Sequence, residues 1–375
     1  MSPVNRVFLA AEAGQPMSAV AAEAYSHAAA RGWADPGLRA HEGRRSRTIA
    51  EASATSIAVS LGAPGAAVHY YPNLDMAIQA ALGCLGEPPV LLSRVERRSA
   101  LTWAAERSSP AEPLLCRVDG NGIIDLGHWQ ELLGQRPGLA LLQVANQETG
   151  SLQPLVAAAA ACEMAGVPLV VEASTSVGRV PLPACSWLGL VADARSWAGG
   201  TPSLLVVRPG TGHRATRPGM GPAVGEPGQV NVAGVAAAAL GLEGTLVDLP
   251  ATAARHHAWT TRMRAEIPHR VPDVAMHGSA TDHLPYLVAL SALYVDGEAL
   301  LLELDRRGFA VASGSPCAND NGEMSHVLSA IGALGSGNVR VSLPLDTTEQ
   351  DIDRFLDELP DAVRSVRVAG GAADL

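Results

Sequence analysis

The residue in this chain best placed to do chemistry is Cys317. It closes the run Val311-Ala312-Ser313-Gly314-Ser315-Pro316-Cys317. In a loop of such small residues the backbone can be mobile, and its N–H groups can lower a thiol pKa towards the nucleophilic thiolate. A second candidate is Arg340, in Gly337-Asn338-Val339-Arg340-Val341-Ser342-Leu343. Its planar fork of donors suits bidentate binding of a carboxylate. The bland alternatives are an idle loop thiol and a fold-holding ion pair. No side-chain amine can join them: the sequence has no lysine, and all 27 basic residues are arginine. A guanidinium stays protonated and is not a nucleophile.

Other chemistries find little support. The five cysteines (Cys84, Cys116, Cys162, Cys185, Cys317) are odd in number and lack CxxC spacing, which points to a reduced, cytoplasmic protein without a disulfide framework or zinc knuckle. The four besides Cys317 read as small packing hydrophobes. His256 and His257 are adjacent and would face different directions on a helix, so no metal site is expected. His326 reads as a capping or packing residue. Ser313-Gly314-Ser315 has no recognisable His/Asp partners, and the glycines around Gly199 and Gly210 do not form a phosphate loop.

The net charge of −10 and the scattered arginines argue against nucleic-acid binding; the densest cluster, Arg44-Arg45-Ser46-Arg47, reads as a solvated helix face. No stretch reads as a membrane span or an N-terminal targeting segment. With 47% hydrophobic and 17% charged residues the chain is globular. The missing lysine has two readings, drift in a GC-rich genome or selection against surface amines.

The elements that must position these residues follow from hydrophobic patterning. Residues 139–144 read as a buried strand, 155–165 as a helix with Pro154 near its start, and 167–172 as the next strand. Strand, helix, strand at this spacing is a βαβ unit, hence an α/β fold with a mainly parallel sheet flanked by helices. Residues 204–207 add a strand, and 230–246 and 251–267 read as two Ala-rich helices. Beyond Pro268 the pattern changes to α+β: strands at 287–290, 292–295 and 309–312, and helices at 298–307 and 351–359. The expected division is an N-terminal arm (1–20), a large α/β domain (21–267) and a small C-terminal α+β domain (268–375).

Five blocks in register resemble the cysteine desulfurases of the class V aminotransferases. They are the Cys317 loop with Ser325-His326-Val327-Leu328; Asn146-Gln147-Glu148-Thr149-Gly150 with Gln153-Pro154; Asp296-Gly297-Glu298-Ala299-Leu300-Leu301; the Arg340 strand with Asp346-Thr347-Thr348-Glu349; and Gly228-Gln229-Val230-Asn231. The likeness is good from about Ala140 onward and loose before it. It implies a type I pyridoxal-phosphate (PLP) transferase fold and a homodimer. It also implies that Cys317 carries sulfur as a persulfide, and that Arg340, with Asn146, serves the substrate.

The departures fall where the resemblance places the cofactor. The Schiff-base lysine position falls near Thr201, in a shortened Ala198-Gly199-Gly200-Thr201 segment. The strand-end aspartate is Glu172, and the glutamine three residues on is Thr175. The phosphate turn is Pro72-Asn73-Leu74, so Leu74 brings no hydroxyl and Pro72 no N–H. The stacking histidine is Arg97, and the threonine that would reach the partner's phosphate is Gln229. These changes together lead us to expect a vestigial pocket and no PLP.

Three functions remain open on that basis: a PLP-independent sulfurtransferase-like relay through Cys317, a dead scaffold or regulatory subunit, and a cleft repurposed for another ligand. Expected partners are a second copy or an active desulfurase, and a sulfur-acceptor protein.

Overall fold

The computed structural model describes residues 6–84, 87–107, 112–209, 231–313, 325–333 and 337–372, without the side chains of Cys84 and Arg107. Its strands are β1 (Val7–Phe8), β2 (Ala67–Tyr71), β3 (Val90–Ser93), β4 (Leu114–Cys116), β5 (Leu139–Gln143), β6 (Leu169–Glu172), β7 (Gly189–Asp193), β8 (Ser203–Val207), β9 (Val274–His277), β10 (Leu287–Ala292), β11 (Phe309–Ala310) and β12 (Asn338–Ser342). The helices are α1 (Ala19–Arg31), α2 (His41–Ser60), α3 (Leu74–Cys84), α4 (Arg98–Arg107), α5 (Leu126–Leu133), α6 (Leu155–Ala165), α7 (Val232–Arg270), α8 (Gly297–Arg306), α9 (His326–Ala330) and α10 (Glu349–Ala369).

Seven strands form one sheet in the order β2-β8-β7-β6-β5-β3-β4, in which β8 alone runs against the rest. The central strands are apolar up to their last residues because helices cover both faces. Alternation still sorts them: Ala140, Leu142, Leu169, Val171, Leu190 and Ala192 enter the core on one face, and Leu139, Leu141, Val170 and Val191 the core on the other. By the same period of two, Gln143, Glu172 and Asp193 end β5, β6 and β7 on the second face. These three polar residues stand in a row at the carboxyl ends of parallel strands, where open α/β sheets hold their ligands.

A second sheet, β9-β10-β12, is antiparallel. It shares a core with α8, α10 and the C-terminal part of α7, in which Phe309 meets Phe355 edge-on with ring centroids 5.6 Å apart. The N-terminal arm joins this unit, since β1 pairs with β11 and Ser342 N–H donates to the Leu9 carbonyl.

Three expectations need correction. The two helices at 230–246 and 251–267 are one, α7, running through Pro250. Proline forfeits one helical hydrogen bond, but burial continues on both sides of it. Ala236 to Ala239 and Leu242 are buried on the first half, Met263 and Ile267 on the second, and α1 and α2 pack along α7. This helix is also long and apolar enough to cross a membrane, although 61% of its apolar window is buried inside the protein, as in a core helix. The closing helix likewise passes Pro360, because Ala362, Val363 and Val366 extend its buried stripe. Finally, the strands read at 287–290 and 292–295 are one shorter strand, β10, which ends at Ala292 before the chain turns at Tyr294 with φ 59°.

Candidate functional site

The cleft lies above the row of strand ends, roofed by the N-terminal arm. Glu172 is fully buried at the end of β6, where its Oε1 accepts from Ser174 N–H at 2.9 Å and lies 3.6 Å from Arg97 Nε. Arg97 also donates to Ser174 Oγ at 2.8 Å. The adjoining Glu96 is buried, and its Oε1 accepts from Gln143 N–H at 3.0 Å and from Ser93 Oγ at 3.1 Å. Burial, reinforced by the neighbouring Glu172 charge, pushes its carboxyl up to about 8 despite those bonds and Arg97. Oε2 of Glu96, Oε2 of Glu172 and Oε1 of Gln143 are buried without a hydrogen-bond partner among the described residues.

Asp193, ending β7, holds Arg195 through Nε at 3.0 Å and a second guanidinium nitrogen at 2.6 Å. Tyr286 stands opposite; its hydroxyl donates to the Thr175 carbonyl at 3.0 Å, and the guanidinium carbon of Arg179 lies over its ring, 3.8 Å from the centroid, while Arg179 donates to the Leu343 carbonyl. Burial lowers the Arg179 pKa to about 10 and raises that of Tyr286 to about 12. With these side chains in place the cavity measures only about 50 Å³, room for one or two waters.

Arg340, on β12, faces two carboxylates: Glu12 of the arm, with Oε1 3.3 Å from its Nε, and Glu148, 3.9 Å away. Ser342 Oγ donates to Glu12 and accepts from its N–H at 3.1 Å. Ser325, the N-cap of α9, donates to Glu148 at 2.6 Å. Gln15 ties the same arm across the cleft, donating to the Arg195 and Ser196 carbonyls and accepting from Leu345 N–H.

The sequence candidates are thus partly reunited. Leu74, Arg97 and Thr175 line the cavity, Glu172 pairs with Arg97, and Arg340 stands at the arm. The Thr175 hydroxyl is spent on the Ala145 carbonyl. Asn146 is buried with its amide donating to the Val95 carbonyl and its oxygen accepting from Glu148 and Thr149 N–H, so its side chain holds the turn. Thr201 is exposed just before β8 and does not line the cavity. Cys317 and Gln229 lie outside the described residues. Burial pushes the thiols of Cys116 and Cys162 up to about 12 and 11, as packing residues require. Among the described residues no His, Cys, Asp and Glu side chains gather into a metal site. Glu148 was met in the sequence only as part of the Asn146 block, and Glu12, Glu96, Arg179, Asp193, Arg195 and Tyr286 were not singled out. Of these, only Asp193 had a signal: like Glu172, it is the acid that ends an apolar strand run.

The aminotransferase class-V family model matches residues 208–355. The cysteine desulfurase NifS of Azotobacter vinelandii is 30% identical over 298 residues, covering 74% of this chain and 73% of that protein. The chain belongs to the cysteine desulfurase family. The IscS cysteine desulfurase of Dictyoglomus turgidum is 27% identical over 343 residues, covering 87% of this chain and 86% of its own. A NifS-like protein from Rickettsia africae shares the fold with a TM-score of 0.84, at 18% identity over 95% of this chain and 99% of that one.

Family membership corrects the expectation of a chain without PLP. Its relatives are cysteine desulfurases, a family that works with PLP, and loss of PLP binding does not follow from the structure. The side chains do not, however, form the covalent seat. The sequence offers no lysine amine for a Schiff base, and the cavity as it stands is a fraction of the size of usual cofactor sites. No chemical step is therefore derived through the cofactor.

Proposed function

We propose that this desulfurase-family chain carries sulfur in a trafficking route, with Cys317 as the atom that accepts it and passes it on. The observation behind this reading is where the Cys317 loop is rooted. Ala312 and Arg340 exchange backbone hydrogen bonds of 3.0 and 2.8 Å, and on the far side of the loop Ser325 bonds Glu148 beside the same arginine. Cys317 follows Ala312 by five positions in the sequence, a chain span of at most about 17 Å.

The transfer needs no oxidant. The Cys317 thiolate attacks the outer sulfur of a persulfide, R–S–SH. The donor S–S bond breaks with its electron pair leaving on RS⁻, and a new S–S bond makes Cys317–S–SH. A second exchange hands that sulfur to an acceptor thiol. The setting would be cytoplasmic, in a homodimer or beside an active desulfurase. The ion pairs that fill the cleft favour one rival, a scaffold in which Cys317 is idle.

Limited alkylation with peptide mass spectrometry separates the two. A carrier thiol labels before Cys84, Cys116, Cys162 and Cys185, and Cys317→Ser ends the cellular role without disturbing the fold. A Cys317 that labels no faster than the rest, with a Ser variant fully functional, leaves the scaffold.

A further inference from the structure

Resting on the reading above, we infer that Glu12 selects the sulfur donor: it stands where Arg340 would meet a ligand's carboxylate, and so restricts the cleft to persulfides whose cysteine carries no free α-carboxylate, such as a cysteine within a polypeptide. Two observations carry this. The first is charge. The Glu12, Glu148 and Arg340 side chains are only 8%, 13% and 14% exposed, so one guanidinium already answers two carboxylates in a poorly solvated place. The α-carboxylate of a free amino acid, set against Arg340, would put a third negative charge beside those two, and like charges at short range in such a setting repel strongly. An amide-bonded cysteine brings none.

The second is how firmly Glu12 is seated. It is gripped from both its backbone and its carboxylate by Ser342, two residues along β12 from Arg340. The arm around it is pinned by Leu9 to Ser342 and by Gln15 to Arg195, Ser196 and Leu345. Glu12 is therefore held in place before any ligand arrives, and a ligand carboxylate would have to displace it.

The test uses the full chain and L-alanine as the probe of a free α-carboxylate, titrated by calorimetry. Wild type should bind it at least about tenfold more weakly than Glu12→Gln, the scale of one charge-assisted hydrogen bond. Arg340→Gln added to Glu12→Gln should remove the gain. Glu12→Asp, which keeps the charge in the arm, should remain wild-type-like, showing that charge and not a loosened arm decides. Equal binding by wild type and Glu12→Gln, or no gain in Glu12→Gln, overturns the inference.

Sulfur loading distinguishes this from failure of the carrier reading. In wild type a persulfidated blocked peptide should load Cys317 faster than free cysteine persulfide does, and Glu12→Gln should narrow the difference. If both donors load Cys317 equally in both proteins, the selector fails and the carrier stands. If neither donor ever loads Cys317, the carrier reading fails, and L-alanine binding alone then decides the role of Glu12 at Arg340.

Discussion

Replacing Glu96 with glutamine should change how the stability of this protein depends on pH. The carboxyl is fully buried beside Glu172, and burial moves it from its ordinary 4.5 to about 8. The difference between those values corresponds to roughly 5 kcal/mol between the protonated and ionised forms, at about 1.4 kcal/mol per pH unit. The raised value fixes the sign. Below pH 4.5 both folded and unfolded chains carry the proton, and the folded state suffers nothing. Between 4.5 and 8 the unfolded chain has released it while the folded chain keeps it, so this group's contribution falls steadily as pH rises. Above about 8 the folded carboxyl ionises and the loss levels off. An amide resembles the protonated acid in shape and carries no charge to bury. Urea unfolding of wild type and Glu96→Gln at pH 5.5, 7 and 8.5 should show a gain for the variant of about 1.4 kcal/mol at the lowest pH, rising to roughly 5 kcal/mol at the highest. Parallel pH curves for the two proteins would refute the reasoning.

Other substitutions probe the frame around the cleft. Arg179→Lys should lower stability by about 1–3 kcal/mol in chemical denaturation, because a single ammonium cannot both sit over the Tyr286 ring and reach the Leu343 carbonyl as the guanidinium does. Gly278→Ala should cost about 2 kcal/mol or more of thermal stability. The glycine sits at φ +78°, and a Cβ there would lie 2.3 Å from the Thr149 carbonyl oxygen. Iodoacetamide at pH 7.5 should leave Cys116 and Cys162 unlabelled in the folded protein, since burial holds both thiols neutral; rapid labelling of either would contradict their place in the core.

The layered sheet was legible because its strands are continuous apolar runs, which only burial on both faces explains. Helix ends at prolines were not, since the apolar stripes that carry α7 and α10 past Pro250 and Pro360 act through tertiary packing, against the local preference of proline. In the cleft, the family likeness located Arg97, Glu172 and Arg340 but not what each one faces. Glu12 lies 328 positions from Arg340, in an arm without periodic signal, and Arg179 is an isolated charge after a glycine. Only the pairing of β1 with β11 and the return of β12 beneath the arm bring such residues together. Asn146 shows the opposite case: its type and motif pointed to substrate, while its hydrogen bonds go to the backbone of its own turn and the neighbouring loop.

Sulfur on Cys317 itself is the most direct measurement of the central claim. Purified full-length protein is mixed with a persulfide donor, and the Cys317 peptide is weighed by mass spectrometry, with the other four cysteines as internal controls. The account predicts one added sulfur on Cys317, removed by a thiol acceptor and absent in Cys317→Ser. A Cys317 peptide that stays at its unmodified mass while the donor is intact, or sulfur spread evenly over all five cysteines, would contradict it.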